Sequence, residues 1–197
     1  MNRTLGAALL GVAFGTGTSL VNALSSPYSP LGAPLDGTLW GGAAKVLSLL
    51  VDSGWAWAAL AVGVGWLVGG LVRAGVAGVA ALMAATAAYY AMDALLRDEP
   101  LSWFWPEVLL WWGASVVFGS LLGMVGASIR RPGVIGLLAG LTVPVGAAAQ
   151  MVVLPPTPTQ AAISAMLWAQ ALVWAGALLG AGLVIARFVT RRRTATA

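Results

Sequence analysis

The sequence predicts an all-α, polytopic membrane bundle of about six transmembrane helices with both termini cytoplasmic. Composition, long apolar runs and a lopsided distribution of charge predict it. Of 197 residues, 60% are hydrophobic and only 8% charged, and the mean hydropathy is +0.92. A soluble domain carries about 25% charged residues. So few charges cannot keep a protein surface in water, and lipid must solvate it instead.

A helix needs about 20 apolar residues to cross the hydrocarbon core. Runs of that kind cover residues 5–24, 54–72, 75–95, 106–127, 132–154 and 160–188. Arg73-Ala74-Gly75 and Arg130-Arg131-Pro132 read as tight turns between them, and Pro155-Pro156-Thr157-Pro158 as a stop and restart. One bundle domain thus covers 1–188, and 189–197 form a basic cytoplasmic tail. The one long connection, 25–53, opens with a Ser/Pro/Gly-rich stretch. It continues over 38–51 as a short interfacial helix with Trp40, Val46, Leu47 and Leu50 on one side. Connections of that length often act as lids.

Orientation follows from the basic residues. With the N-terminus inside, Arg3, Arg73, Arg130, Arg131, Arg187, Arg191, Arg192 and Arg193 fall on cytoplasmic ends, leaving only Lys45 and Arg97 outside. Such a bias is the positive-inside signal of a cell-membrane protein. It also accounts for the basic residues without a nucleic-acid partner, since they sit at helix ends and form no continuous face. Asp36, Asp52, Asp93, Asp98, Glu99 and Glu107 all fall on the outer side. Met1-Asn2-Arg3 with its apolar run, closing at Asn22-Ala23-Leu24-Ser25, has a cleaved signal peptide as its alternative reading.

Lipid tails supply no hydrophobic drive between helices, so association depends on close backbone approach. The pairs Gly11/Gly15, Gly65/Gly69, Gly119/Gly123 and Gly176/Gly180 are candidates for that approach, and they leave the oligomeric state open. Pro144 should bend the fifth span and free a carbonyl near the midplane.

Cysteine and histidine are absent. Thiolate, disulfide and imidazole chemistry are therefore excluded, and proton transfer would fall to the six acids, the three tyrosines or water. No aspartate-rich or nucleotide-binding motif is present, so no metal or other cofactor is expected. The third and fourth spans hold the densest constellation: Tyr89, Tyr90 and Asp93, then Arg97, then Trp103, Trp105, Glu107, Trp111 and Trp112. Tyr89 and Tyr90 precede Asp93 by four and three residues and share its helix face. Asp93 and Glu107 stand at similar depth on either side of the turn, where they could face each other, and Trp55 and Trp57 start the second span at that level. An acid in a dry aromatic setting holds its proton more tightly, and indole faces stabilise cations.

That combination suits an acid-initiated cyclase or isomerase of prenyl chains, with Asp93 and Glu107 as the acids. That cyclase or isomerase is the first expectation, and a binding site for an apolar or cationic small molecule in a membrane transporter is its alternative. Each residue also has a plainer reading. The rings form the ordinary aromatic belt, Glu107 after Pro106 complements a helix dipole, and Asp93 pairs with Arg97. Asp52 caps the second span, and Asp36 is a turn residue. Gln170, flanked by Trp168 and Trp174 about 15 Å into the last span, marks an interhelical hydrogen bond or a ligand contact.

The stretch Asp52-Ser53-Gly54-Trp55-Ala56-Trp57 with Tyr89-Tyr90-Ala91-Met92-Asp93 resembles small uncharacterised six-helix membrane proteins of actinobacteria, a resemblance that implies no activity. The size, helix number and acid-plus-aromatic pattern are more loosely similar to integral-membrane terpene cyclases, which implies paired acids that start cyclisation. They are similar too to the substrate-binding subunits of vitamin transporters, which implies an outward-facing aromatic site under a long first loop. A non-catalytic accessory membrane protein is the remaining alternative.

Overall fold

Our computed structural model describes residues 3–155 and 163–196, and these contain helices and turns but no strand. Helix α1 covers Arg3–Ser25, α2 Leu39–Val51, α3 Gly54–Val68 and α4 Leu71–Arg97. A 3₁₀ turn at Leu101–Phe104 leads into α5, Trp105–Ala114. A π-helical turn, Ser115–Gly119, joins α5 to α6, Ser120–Ser128. Helices α7, Val134–Val153, and α8, Ile163–Thr196, complete the chain.

Five helical segments are long and apolar enough to cross a bilayer: Arg3–Ser25, Leu71–Arg97, Leu101–Ser128, Val134–Val153 and Ile163–Arg192. The sixth passes that test only as the pair α2 and α3, bent by 62° at Asp52 and Ser53. The protein is therefore an all-α, polytopic helix bundle in contact with lipid. Leu178, Leu179 and Leu183 on α8, each about 70% exposed, show the kind of surface that lipid covers. The expected start of the last span, Gln160, lies outside the described residues, as do Pro156, Thr157 and Pro158.

Two features of the second span differ from the sequence expectation. The turn after it falls at Gly69 and Gly70, with φ of 67° and 73°, and not at Arg73-Ala74-Gly75. Two successive residues at positive φ are a conformation that glycine alone adopts freely. Helix α4 can then begin at Leu71, which places Arg73 in its first turn and buries Ala74 completely. The second difference concerns Asp52, which is the C-cap of α2 and does not cap α3. The N-cap of α3 is Ser53, whose side chain makes no capping bond. Gln150 of α7 takes that part, its Oε1 accepting the Trp55 backbone N–H at 3.0 Å.

Within the long connection, Thr38 caps α2 by accepting the Gly41 N–H at 3.1 Å. Leu39, Trp40 and Leu47 project outward from that helix. Asp36 ends a 3₁₀ turn and pairs with Lys45 at 2.8 Å, which holds its carboxyl below the usual carboxylate range.

Helix α4 is the centre of the bundle. Its small-residue face meets α1 on one side and α6 on the other. A Cβ on Gly11 or Gly15 would strike the Ala81 or Ala85 carbonyl, and one on Gly78 would strike that of Gly119. Gly65 and Gly123 meet where α3 crosses α6. The expected pairs divide accordingly. Gly11/Gly15 and Gly119/Gly123 are close-approach positions, as is Gly65. Gly69 serves the turn, and Gly176 faces open space. Helix α7 runs through Pro144, whose ring packs on Gly180 of α8.

The bundle has two chemically distinct ends. Arg3 donates to the Val68 carbonyl at 2.7 Å, Arg130 lies over Trp66, and Arg131, Arg187, Arg191 and Arg192 share one groove. The acids lie at the other end, where Lys45 and Arg97 are each paired with a carboxylate.

Candidate functional site: an aromatic cavity at the acidic end

Below the π turn, α6 packs tightly on α3. Above it, α5 makes no extended contact with α3. An extra residue in one helical turn re-aims everything beyond it. The result is a wedge of space bounded by α3, α4 and the α5–α6 segment, with a volume of about 480 Å³. Small-molecule pockets commonly measure about 300–1,000 Å³.

Trp57 lines the cavity from α3, and Thr86, Tyr89 and Tyr90 line it from α4. Trp111, Ser115 and Phe118 close it from the third side. The hydroxyl of Ser115 is turned back onto the Trp111 carbonyl at 2.7 Å, which leaves that wall apolar. Trp111 and Phe118 are each more than half exposed although they line the cavity. The cavity therefore opens sideways, through a helix surface that lipid covers.

The rings form a continuous chain. Phe14 meets Trp57 edge-on at 5.3 Å, Trp57 meets Tyr89 at 6.2 Å, and Tyr89 meets Tyr90 at 5.2 Å. Phe104 extends it at 5.7 Å. Edge-to-face contacts are the favoured geometry for such pairs and hold the rings in fixed orientations.

One carboxylate enters this space, that of Asp52 at the elbow between α2 and α3. Above the cavity, Asn22 donates to the Tyr89 hydroxyl at 3.2 Å and accepts from Ser48 at 2.6 Å. The polar group thus ties α1, α2 and α4 together beside Asp52. Asp52 keeps accessible surface at this elbow. A carboxylate beside aromatic faces suits a cationic partner.

The residues singled out from the sequence separate into two sets. Trp57, Tyr89, Tyr90 and Trp111 line the cavity, whereas Asp93 and Glu107 do not. Asp93 is held by Arg97 at 3.1 Å. Glu107 is exposed in the first turn of α5, next to Pro106. Trp103 and Trp105 are exposed, and Trp105 meets Trp112 edge-on at 5.8 Å. Trp112 donates to the Met83 carbonyl at 3.1 Å, fastening α5 to α4. The Trp55 indole nitrogen is buried without a partner, outside the lining. Gln170 is half-buried on α8, which packs chiefly on α7 and α2.

Asp52, Asn22, Thr86 and Phe118 are the residues that sequence reasoning left out of the site. The available signal was Asp52 itself, an acid between two apolar segments, which the following Ser53 and Gly54 made look like a cap. Among the described residues, no three metal-ligating side chains converge.

These features define a class: a multi-pass α-helical integral membrane protein with a laterally open, aromatic cavity ending in one carboxylate. No protein-family model, curated protein or solved structure matches the chain.

Proposed function

We propose that the cavity binds a small, largely apolar molecule carrying a cationic or hydrogen-bond-donating group, taken from the bilayer through the opening beside Trp111 and Phe118. The protein then acts as a small-molecule binding subunit of a membrane transporter, set in the cell membrane with its basic end in the cytoplasm. The observation that carries this reading is the single carboxylate of Asp52 at the polar end of an otherwise aromatic space. Indole and phenol faces attract cations, and the attraction grows as water is excluded.

Trp57 and Trp111 report on the cavity directly. Titration of the purified protein with a hydrophobic quaternary ammonium should quench tryptophan fluorescence saturably, and the neutral carbon isostere should bind more weakly. Asp52→Asn should weaken the ammonium by up to about 1 kcal/mol, the scale for a charge pair that stays open to solvent. Absence of saturable binding, or an unchanged affinity in Asp52→Asn, would leave the accessory-protein reading.

A second reading rests on the place of Asp52 at the end of the aromatic cavity. In its protonated form Asp52 would protonate the alkene or epoxide of a prenyl chain, and the five rings of the lining would shelter the resulting cation. This is the acid-initiated cyclase, with Asp52 in the place expected for Asp93 and Glu107. Turnover of a prenyl epoxide by purified protein, abolished in Asp52→Asn, would favour it over simple binding.

A further inference from the structure

Thr86 lines the aromatic cavity one turn below Tyr90 on the same face of α4, with only 4% of its surface accessible. Hydroxyls inside apolar helices commonly turn back to the carbonyl four residues earlier. Thr18, Ser115, Ser128 and Thr142 do so, at 2.9, 2.7, 2.9 and 3.2 Å. Thr86 does not, and among the described residues it has no hydrogen-bond partner. A hydroxyl held out of water is destabilising until something meets it. The facing wall does not: Ser115 is committed to the Trp111 carbonyl, and Phe118 and Leu122 offer only carbon.

The depth of Thr86 below the carboxylate follows from the packing of α1 on α4. Gly11 and Gly15 meet Ala81 and Ala85 in step, so the two helices run side by side. Asn22 follows Gly15 on α1, which places it about 10 Å beyond that contact along the axis. Ser48, which donates to Asn22, also supplies the carbonyl that the Asp52 backbone N–H bonds. Asp52 and Thr86 therefore mark opposite ends of the cavity, with Trp57, Tyr89 and Tyr90 between them.

We propose that Thr86 is a second polar contact of this site, and that the ligand is an elongated molecule with a cation at one end and a hydrogen-bonding oxygen at the other. The inference rests on the binding reading of the cavity and narrows the class of its ligand. The cation lies against Asp52 and the neighbouring rings, and the oxygen reaches the Thr86 hydroxyl at the deep end. That hydroxyl both donates and accepts, so a ketone, an ether or an alcohol satisfies it. A plain hydrocarbon amine fills the same space but leaves the hydroxyl unmet, and a site built around a buried polar group discriminates against such an analogue.

Isothermal titration of the full chain in detergent with para-acetylphenyltrimethylammonium and its para-isopropenyl counterpart tests this. The two probes share charge and shape, and differ only in a carbonyl oxygen against a methylene group. The ketone should bind about fivefold more tightly, the scale of one net hydrogen bond. Thr86→Val keeps the branched shape without the hydroxyl. It should abolish that preference and leave the affinity of the isopropenyl probe unchanged, whereas Thr86→Ser should retain the preference. Asp52→Asn should weaken both probes alike and preserve their ratio. Equal affinities in the wild type, or a preference that survives Thr86→Val, would overturn Thr86 as a contact while leaving the binding reading of the cavity in place. Failure of both probes to bind would overturn the two together. Thr86→Ala, which only trims a side chain beside open space, carries the same test should Thr86→Val fail to fold.

Discussion

Gln150 of α7 accepts the backbone N–H of Trp55 at 3.0 Å, so the first turn of α3 is capped by a residue almost a hundred positions away. The bond joins the peripheral α7–α8 pair to the central helices at the level of the cavity. It also holds the start of α3, and hence Trp57, against α4. Gln150→Ala should lower stability by about 1 kcal/mol, the usual effect of losing a helix cap. Reversible unfolding in mixed micelles checks this, and an unchanged midpoint would mean that α3 finds another cap.

Glycines in this bundle are not equivalent. Gly15→Leu places side-chain atoms where the Ala85 carbonyl stands, between two backbones with no flexible group to yield. The expected loss is about 3 kcal/mol or more, at the upper end for overpacking. Gly176 faces open space, so Gly176→Ala should be neutral or stabilise its helix by up to about 1 kcal/mol. Comparable losses for the two substitutions would contradict the arrangement of α1 against α4.

Asp52 as the partner of the ligand's charge predicts a pH dependence with a definite sign. Affinity for a permanently charged ammonium should fall as acidification neutralises the carboxylate. Asp52→Asn should flatten that profile, whereas Asp93→Asn and Glu107→Gln should leave it unaltered. Fluorescence titrations across pH separate these outcomes, and a binding profile that follows Asp93 would relocate the site.

The chain contains no cysteine, so single cysteines report topology without background. Tyr28, 96% exposed in the long connection, and Arg130, at the basic end, are suitable positions. A membrane-impermeant maleimide should modify Tyr28→Cys on intact cells and Arg130→Cys only after permeabilisation. The reverse pattern would invert the protein, and modification of both from outside would break the two-ended arrangement.

Several properties were legible in the residues alone. Membrane residence, the all-helical class, the approximate limits of five long apolar helices and the separation of basic from acidic ends all follow from apolar length and charge. Those are one-dimensional quantities, and lipid reads them directly. Tyr89, Tyr90, Trp57 and Trp111 were legible as a group because each lies near the same depth.

Facing was not legible. These helices are apolar around most of their circumference, so no polar stripe distinguishes the face toward a neighbour from the face toward lipid. Asp93 and Glu107 share a depth with the cavity yet stand outside it, and Asp52 enters it although it resembled a cap. The turn at Gly69 and Gly70, the cap from Gln150 and the wedge above Ser115–Gly119 depend on rotation and register between helices. Rotation and register arise only when Gly11, Gly65, Gly78 and Gly123 bring the backbones together. The membrane class was therefore written along the chain, and the tertiary structure decided which acid meets the rings.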